Sequence, residues 1–305
     1  MTERAHGAPG PAPAGVVSLG TLLAVILLAA APVGAQPPRA PLPLEPGGDR
    51  GEAVYPALEG WYRNSDGSHT ILLGYFNRNA VPVDVPIGPD NRIEPGGPDF
   101  GQPTHFLPRR AWGVFAITVP ADFGEQRLTW TLDANNQRSE VTFWLNPPYF
   151  VDPFLNRANG NVPPRLRVRA GGPELQGPPE GVVASIRAVA GVPIRLTAWA
   201  SDTELENPPP PRARGRSRAP LSVTWRKYRG PGEVAFDEPT HEYDGLAGGE
   251  AATTATFDEP GAYRLMVTAN DISGNGGGGD QCCWTTAHVD VEVAPGPDAT
   301  QEAAR

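Results

Sequence analysis

The chain of 305 residues has little of what usually carries chemistry. It holds only two cysteines, and these are adjacent, Cys282 and Cys283. Neighbours in sequence cannot staple distant strands, so no disulfide framework supports the fold. Three readings of the pair stay open: a vicinal disulfide that stiffens its turn, pairing with another chain, or thiols binding a soft metal with His288 nearby. The five histidines are scattered, and His288 falls on the polar face of its strand, where solvent is expected. There is no G-x-S-x-G elbow, H-E-x-x-H helix, P-loop, G-x-G-x-x-G turn or C-x-x-C-H haem motif. The expectation is a protein that is not an enzyme and needs no cofactor or metal. After the N-terminal apolar run no second one is long enough to span a bilayer, so no transmembrane span is expected in the mature chain. Positive charge is also short. The formal net charge of −9 disfavours general nucleic-acid binding, which needs a basic footprint, so no nucleic-acid partner is expected.

What is present is punctuation. Pro (37) and Gly (36) make almost a quarter of the chain, and they separate short β-branched and aromatic runs. With seven Trp, seven Tyr and ten Phe, this pattern reads as all-β rather than disordered. The N-terminus carries Arg4, an apolar stretch from Val16 to Ala31, and Val33-Gly34-Ala35 as a small-residue cleavage site. Residues 1–35 therefore read as a secretory signal peptide cleaved after Ala35, with a retained single-span anchor as the alternative. Residues 36–51 form a Pro-rich, extended tether.

Residues 52–153 read as a first β-sandwich. Leu128, Trp130 and Leu132 share one strand face and Val141, Phe143 and Leu145 another, joined across Asn135-Asn136 as a hairpin. Gly88 to Gln102 reads as loop. Residues 154–181 form a linker with room for a first strand around Leu166 and Val168. Residues 182–293 read as a second sandwich, and residues 294–305 as a disordered tail. In the second sandwich, Leu221, Val223 and Trp225 alternate with polar neighbours. So do Tyr263, Leu265, Val267 and Ala269, and so do Ala287, Val289, Val291 and Val293. Such strands bury one face and wet the other. On that basis residues 165–293 are expected to fold alone. Trp225 is placed as the buried central aromatic. Tyr263, after the Pro260-Gly261 corner, is placed to hydrogen-bond back across the turn as a tyrosine corner.

The blocks Ala190-Gly191-Val192-Pro193, Leu221 to Trp225, Gly230-Pro231-Gly232, and Ala255 to Tyr263 followed by Leu265 to Asp271 occur in this order. Together they resemble PKD-like immunoglobulin-type domains of exported bacterial proteins, over roughly a third of the chain. Trp225-Arg226-Lys227-Tyr228 stands where typical PKD repeats carry Phe-Gly-Asp-Gly. The resemblance implies a spacer or binding module that accompanies an activity. Strand count extends the immunoglobulin-like expectation to the first domain, giving two such sandwiches in tandem.

The expected working surface is one pole of the second domain, where three long loops gather. One carries the basic run Arg212, Arg214, Arg216 and Arg218; another carries Tyr243; the third is closed by Cys282, Cys283 and Trp284. The basic run reads either as a solvated loop or as a contact for an acidic protein, a polyanionic glycan or a lipid surface. Asp202 and Asp271 follow strands ending at that pole. They read as turn caps or as part of a calcium site, which would need about six to eight oxygen ligands. Trp61, Tyr62, Trp112, Trp130 and Trp144 read either as core or as a sugar-stacking platform. The sequence thus points to an exported, periplasmic or extracellular, non-catalytic binding or structural module whose partner is another protein or an envelope polymer. A carbohydrate-binding protein is the alternative, and an enzyme of unrecognised type a further one.

Overall fold

The computed structural model describes residues 51–152, 155, 160–204, 219–273 and 282–296. Residues 1–50, which include the expected signal peptide, and residues 297–305 lie outside them. The described residues belong to one compact unit, and they form two immunoglobulin-like β-sandwiches in tandem.

The N-terminal sandwich contains β1 (Val54–Arg63), β2 (His69–Asn77), β3 (Val83–Asp84), β4 (Asn91–Glu94), β5 (His105–Phe106), β6 (Arg109–Val119), β7 (Leu128–Ala134) and β8 (Gln137–Phe143). One sheet runs β1-β2-β6 and the facing one β4-β7-β8, with β3 and β5 as a short pair between them. The β7–β8 hairpin closes through Asn135 and Asn136 at φ +56° and +59°. That is the twin left-handed geometry a two-residue turn requires, and asparagine tolerates it best after glycine. Ile71, Leu73, Phe106, Phe115, Trp130 and Phe143 fill the core. The segment expected to be loop contains β4, whose Asn91 is wholly buried. Asn91 Nδ2 donates to the carbonyls of Val85 (2.9 Å) and Pro103 (2.8 Å), and its Oδ1 accepts from Trp130 Nε1 at 3.0 Å. Every hydrogen-bonding need of this polar core residue is thereby met, as burial demands. With Ile93 as its sole large apolar residue, β4 is too short to show a period.

The C-terminal sandwich contains β9 (Arg165–Arg167), β10 (Leu175–Gln176), β11 (Val182–Val189), β12 (Ile194–Ser201), β13 (Leu221–Arg229), β14 (Val234–Phe236), β15 (Thr240–Tyr243), β16 (Gly249–Phe257), β17 (Gly261–Asp271) and β18 (Trp284–Ala294). Its sheets run β10-β9-β12-β16-β14 and β11-β18-β17-β13-β15. The alternating residues meet between them: Leu196 and Ala198 face Val223, Trp225, Leu265, Val267, Val289 and Val291. Tyr263 donates its hydroxyl to the Glu259 carbonyl at 2.9 Å and accepts the Gly232 N–H at 3.0 Å. Its ring, packed on Phe257, thus ties the Pro260-Gly261 corner to the Gly230-Pro231-Gly232 turn.

The outer face of β13, β17 and β18 departs from the expected half-wet sheet. Tyr228, Met266, Thr268, Thr286 and His288 are polar-face residues by period, yet all are buried. The N-terminal sandwich covers them. Tyr228, 2% exposed, and Met266 belong to the same apolar cluster as Phe106, Val114 and Trp130. Trp284 packs on Leu72 of β2. Gly113, at φ +50°, allows this approach, since a Cβ there would lie 2.7 Å from the indole of Trp284. Around this apolar contact runs a polar seam. Tyr228 Oη donates to the Gly101 carbonyl at 2.6 Å, and the Thr104 N–H donates to the Tyr228 carbonyl at 3.2 Å. Arg229 forks onto Asp99 at 2.8 and 3.0 Å, and Lys227, the chain's single lysine, reaches Asp84 at 3.3 Å. Cutting the chain at residue 165 would leave several large side chains of this face uncovered, which weighs against residues 165–293 folding alone.

Candidate functional site

The described roots of the three long loops converge at one end of the C-terminal sandwich. The Asp202 N–H donates to the Leu246 carbonyl at 2.8 Å, tying the end of β12 to the β15–β16 turn. Asp271, at the end of β17, stands close enough to Asp202 to oppose its ionisation. Together with Thr203, Glu204, Pro220 and Leu246 these aspartates line a mostly apolar hollow of about 270 Å³. Burial, opposed by the Thr203 N–H and assisted by Asp271, pushes the Asp202 carboxyl up to about 6. Asp271 is a turn cap: it accepts the Ser273 N–H at 2.8 Å and the amide of Asn161. Asp202 likewise accepts the Thr203 N–H at 2.8 Å. Among the described residues, no three of the His, Cys, Asp and Glu side chains gather as a metal site would require.

The predicted site residues divide into three groups. Arg212, Arg214, Arg216 and Arg218 lie outside the described residues, on the connection that leaves and re-enters at this pole between residues 204 and 219. Tyr243 is not on a loop. It sits in β15, which pairs with β13, and its ring is buried while its hydroxyl donates to the Gly249 carbonyl at 2.8 Å. Trp284 is 1% exposed and packs on Leu72 at the junction between sandwiches. Both were expected as binding residues, and both are structural because a strand or a second sandwich claims them. Cys282 and Cys283 are bonded to each other and buried, with Cys282 Sγ 3.5 Å from the Asn161 carbonyl. Sulfurs joined in this way are not thiolate ligands. Trp225 and Tyr263 lie in the core of the C-terminal sandwich.

His288 is the largest correction. It is 3% exposed rather than solvated, with its ring 4.4 Å from that of Tyr228. It hydrogen-bonds the backbone of Val114, and its Nε2 is buried without a partner among the described residues. Burial, reinforced by the nearby Arg264 and Arg229, pulls its pKa down to about 3. The aromatics proposed as a sugar platform are dispersed. Trp130 is core, Trp61 donates Nε1 to the Asn146 carbonyl at 2.7 Å, Trp112 lies under Arg110, and Trp144 lies under Arg127. A groove of about 710 Å³ crosses β11, β18 and β17, but its Arg229 and Arg264 are committed to Asp99 and Asp290.

No family model matches the chain, and no curated protein matches it. Solved structures similar to it include the D00–D0 domains of intimin, with 13% identity and TM-score 0.24 over 79% of this chain and all of that one. Domains 4 and 5 of the S-layer protein SbsC show 10% identity and TM-score 0.23, over 72% and 90% of the two chains. The Yersinia pseudotuberculosis adhesin InvE shows 10% identity and TM-score 0.23, over 80% and 61%.

Proposed function

We propose that this chain is an exported, non-catalytic binding or structural module that presents the pole around Asp202, Leu246 and Asp271 to another protein or an acidic envelope polymer. The observation that carries the reading is the convergence of three loop roots on one hollow, at the end of a sandwich braced by a second one. Loops held on a rigid scaffold are where binding surfaces usually form. The segment leaving this pole carries Arg212, Arg214, Arg216 and Arg218, which suits an acidic partner. Export follows from the apolar stretch Val16–Ala31 and the small-residue site ending at Ala35. A PKD-like identity for residues 182–293 fits the corner that Tyr263 closes and the buried Trp225.

Replacing Arg212, Arg214, Arg216 and Arg218 together by Ser tests the reading. Association with envelope fractions is expected to fall and to lose its salt sensitivity. Stability should stay within about 0.5 kcal/mol of the parent, the range for substitutions on a solvated loop. Unchanged association would reject the pole as the binding surface. Lost association with a large loss of stability would show instead that the basic loop pairs with Asp202, Glu204 and Asp271 to hold the fold.

A further inference from the structure

Between the two sandwiches lies a cavity of about 140 Å³ lined by residues of both. β2, β6 and the turn before β6 supply one wall, and β13, β17 and β18 the other. Two guanidinium groups line it, Arg110 and Arg226, and none of its lining residues is acidic. Their situations differ. Arg110 is fully committed: Nη1 donates to the carbonyls of Tyr75 and Ala111, both at 2.9 Å, and Nη2 to the buried carboxylate of Glu59. Its guanidinium also lies 3.9 Å over the ring of Trp112. The Glu59 carboxylate is the ion-pair partner of Arg110.

Arg226 sits on β13 opposite Met266, on the sheet face turned toward the N-terminal sandwich. It makes no hydrogen bond or ion pair among the described residues. Burial disfavours its charged form, and the nearby group is the phenol of Tyr75, which stays neutral because its own pKa is pushed up to about 12. Arginine does not give up its proton in proteins, so a cation with five N–H donors faces the cavity without an acceptor. With no protein acceptor among the described residues, its guanidinium has only water to pair with until an anion enters. Arg226 is only partly buried by exposure, so the cavity has a mouth. The rest of the lining is amphipathic. Thr268 and Thr286 present hydroxyls on adjacent strands, 3.5 Å apart, while Trp112, Met266 and Trp284 are apolar.

We infer that the cavity between the sandwiches binds a small organic carboxylate, held by the guanidinium fork of Arg226 and the threonine hydroxyls, with its short apolar stem against Trp112, Met266 and Trp284. The planar fork matches a carboxylate in two parallel hydrogen bonds, which adds geometry to charge. The apolar walls favour a stem over a bare inorganic ion. The volume holds about four or five waters in liquid terms, which limits the guest to a few heavy atoms. This site is separate from the loop pole, so failure at one leaves the other standing.

The test is calorimetric titration of the full exported chain with butyrate, in buffer free of phosphate, sulfate and other carboxylates. Butyramide serves as the uncharged twin, and sulfate as the inorganic arm. Saturable butyrate binding is expected, with butyramide at least tenfold weaker and sulfate weaker than butyrate. Arg226→Met should abolish it while melting at least as high as the parent, because a methionine removes an unpaired charge at similar volume. Arg226→Lys keeps the charge without the fork and should bind butyrate about tenfold more weakly. Equal binding of butyrate and butyramide would overturn the inference, as would undiminished binding by Arg226→Met or the absence of saturable binding. Tighter binding of sulfate would replace the carboxylate with an inorganic oxyanion and overturn it as stated.

Discussion

Tyr228→Ala is expected to lower the unfolding free energy by about 3–5 kcal/mol, the range for emptying a large aromatic site in a core. The residue belongs to the C-terminal sheet by pairing but to the N-terminal core by packing. Its ring covers His288 at 4.4 Å, and its hydroxyl satisfies the Gly101 carbonyl at 2.6 Å. Truncation would open a void at the junction and leave that carbonyl without its donor. Tyr228→Phe keeps the packing and should cost only about 1 kcal/mol. Denaturant unfolding of the three proteins measures both values. A cost for Tyr228→Ala below about 0.5 kcal/mol would place the residue on an ordinary surface.

The second large effect is on acid stability, through His288. Its folded pKa is about 3, against about 6.5 unfolded, so between those values the unfolded chain binds a proton that the folded chain refuses. Its contribution to stability is complete above about pH 6.5 and is lost progressively as the pH falls toward 3. The full span amounts to roughly 4–5 kcal/mol at about 1.36 kcal/mol per unit. Asp202 works in the opposite sense. Its folded pKa is raised to about 6, so its contribution is present in acid and is lost as the pH rises through that value. Asp84 and Asp99 are held below the usual carboxylate range, and they add to the loss only below about pH 4. Urea unfolding as a function of pH should therefore show a loss of stability from pH 6.5 downward that is largely removed in His288→Gln. An unchanged slope in that variant would mean that His288 titrates in contact with solvent.

How far the structure was legible in the sequence depends on how local each signal is. The alternation of Leu221, Val223 and Trp225, and that of Leu265, Val267 and Ala269, reports a face buried by a sheet partner, and the core sits there. Asn135 and Asn136 announce their own turn through their tolerance of positive φ. Tyr228, Trp284 and His288 could not be read in this way. Their burial comes from segments more than a hundred residues away, which cover a face that the period marks as polar. A signal was nonetheless present: Tyr228, Met266 and Trp284 are large apolar residues on the nominally wet side of their strands, as is half-apolar His288. Several on one sheet face mark a covered surface. Arg226 was legible only as one residue of a motif departure, since an unpaired cation is recognised by what surrounds it. The arginine run of the pole falls outside the described residues, so its part remains the one inferred from charge.

The two sandwiches are expected to unfold as a single cooperative unit closed by the Tyr228 junction. Native-state hydrogen exchange tests this most directly, through the slowest amides of β7, paired with β4 and β8 in the first sandwich, and β16, paired with β12 and β14 in the second. Equal opening free energies for the two strands, falling together in Tyr228→Ala, are the predicted result. Two separate levels of protection, with β7 unmoved by that substitution, would contradict the claim and make the sandwiches independent domains in contact.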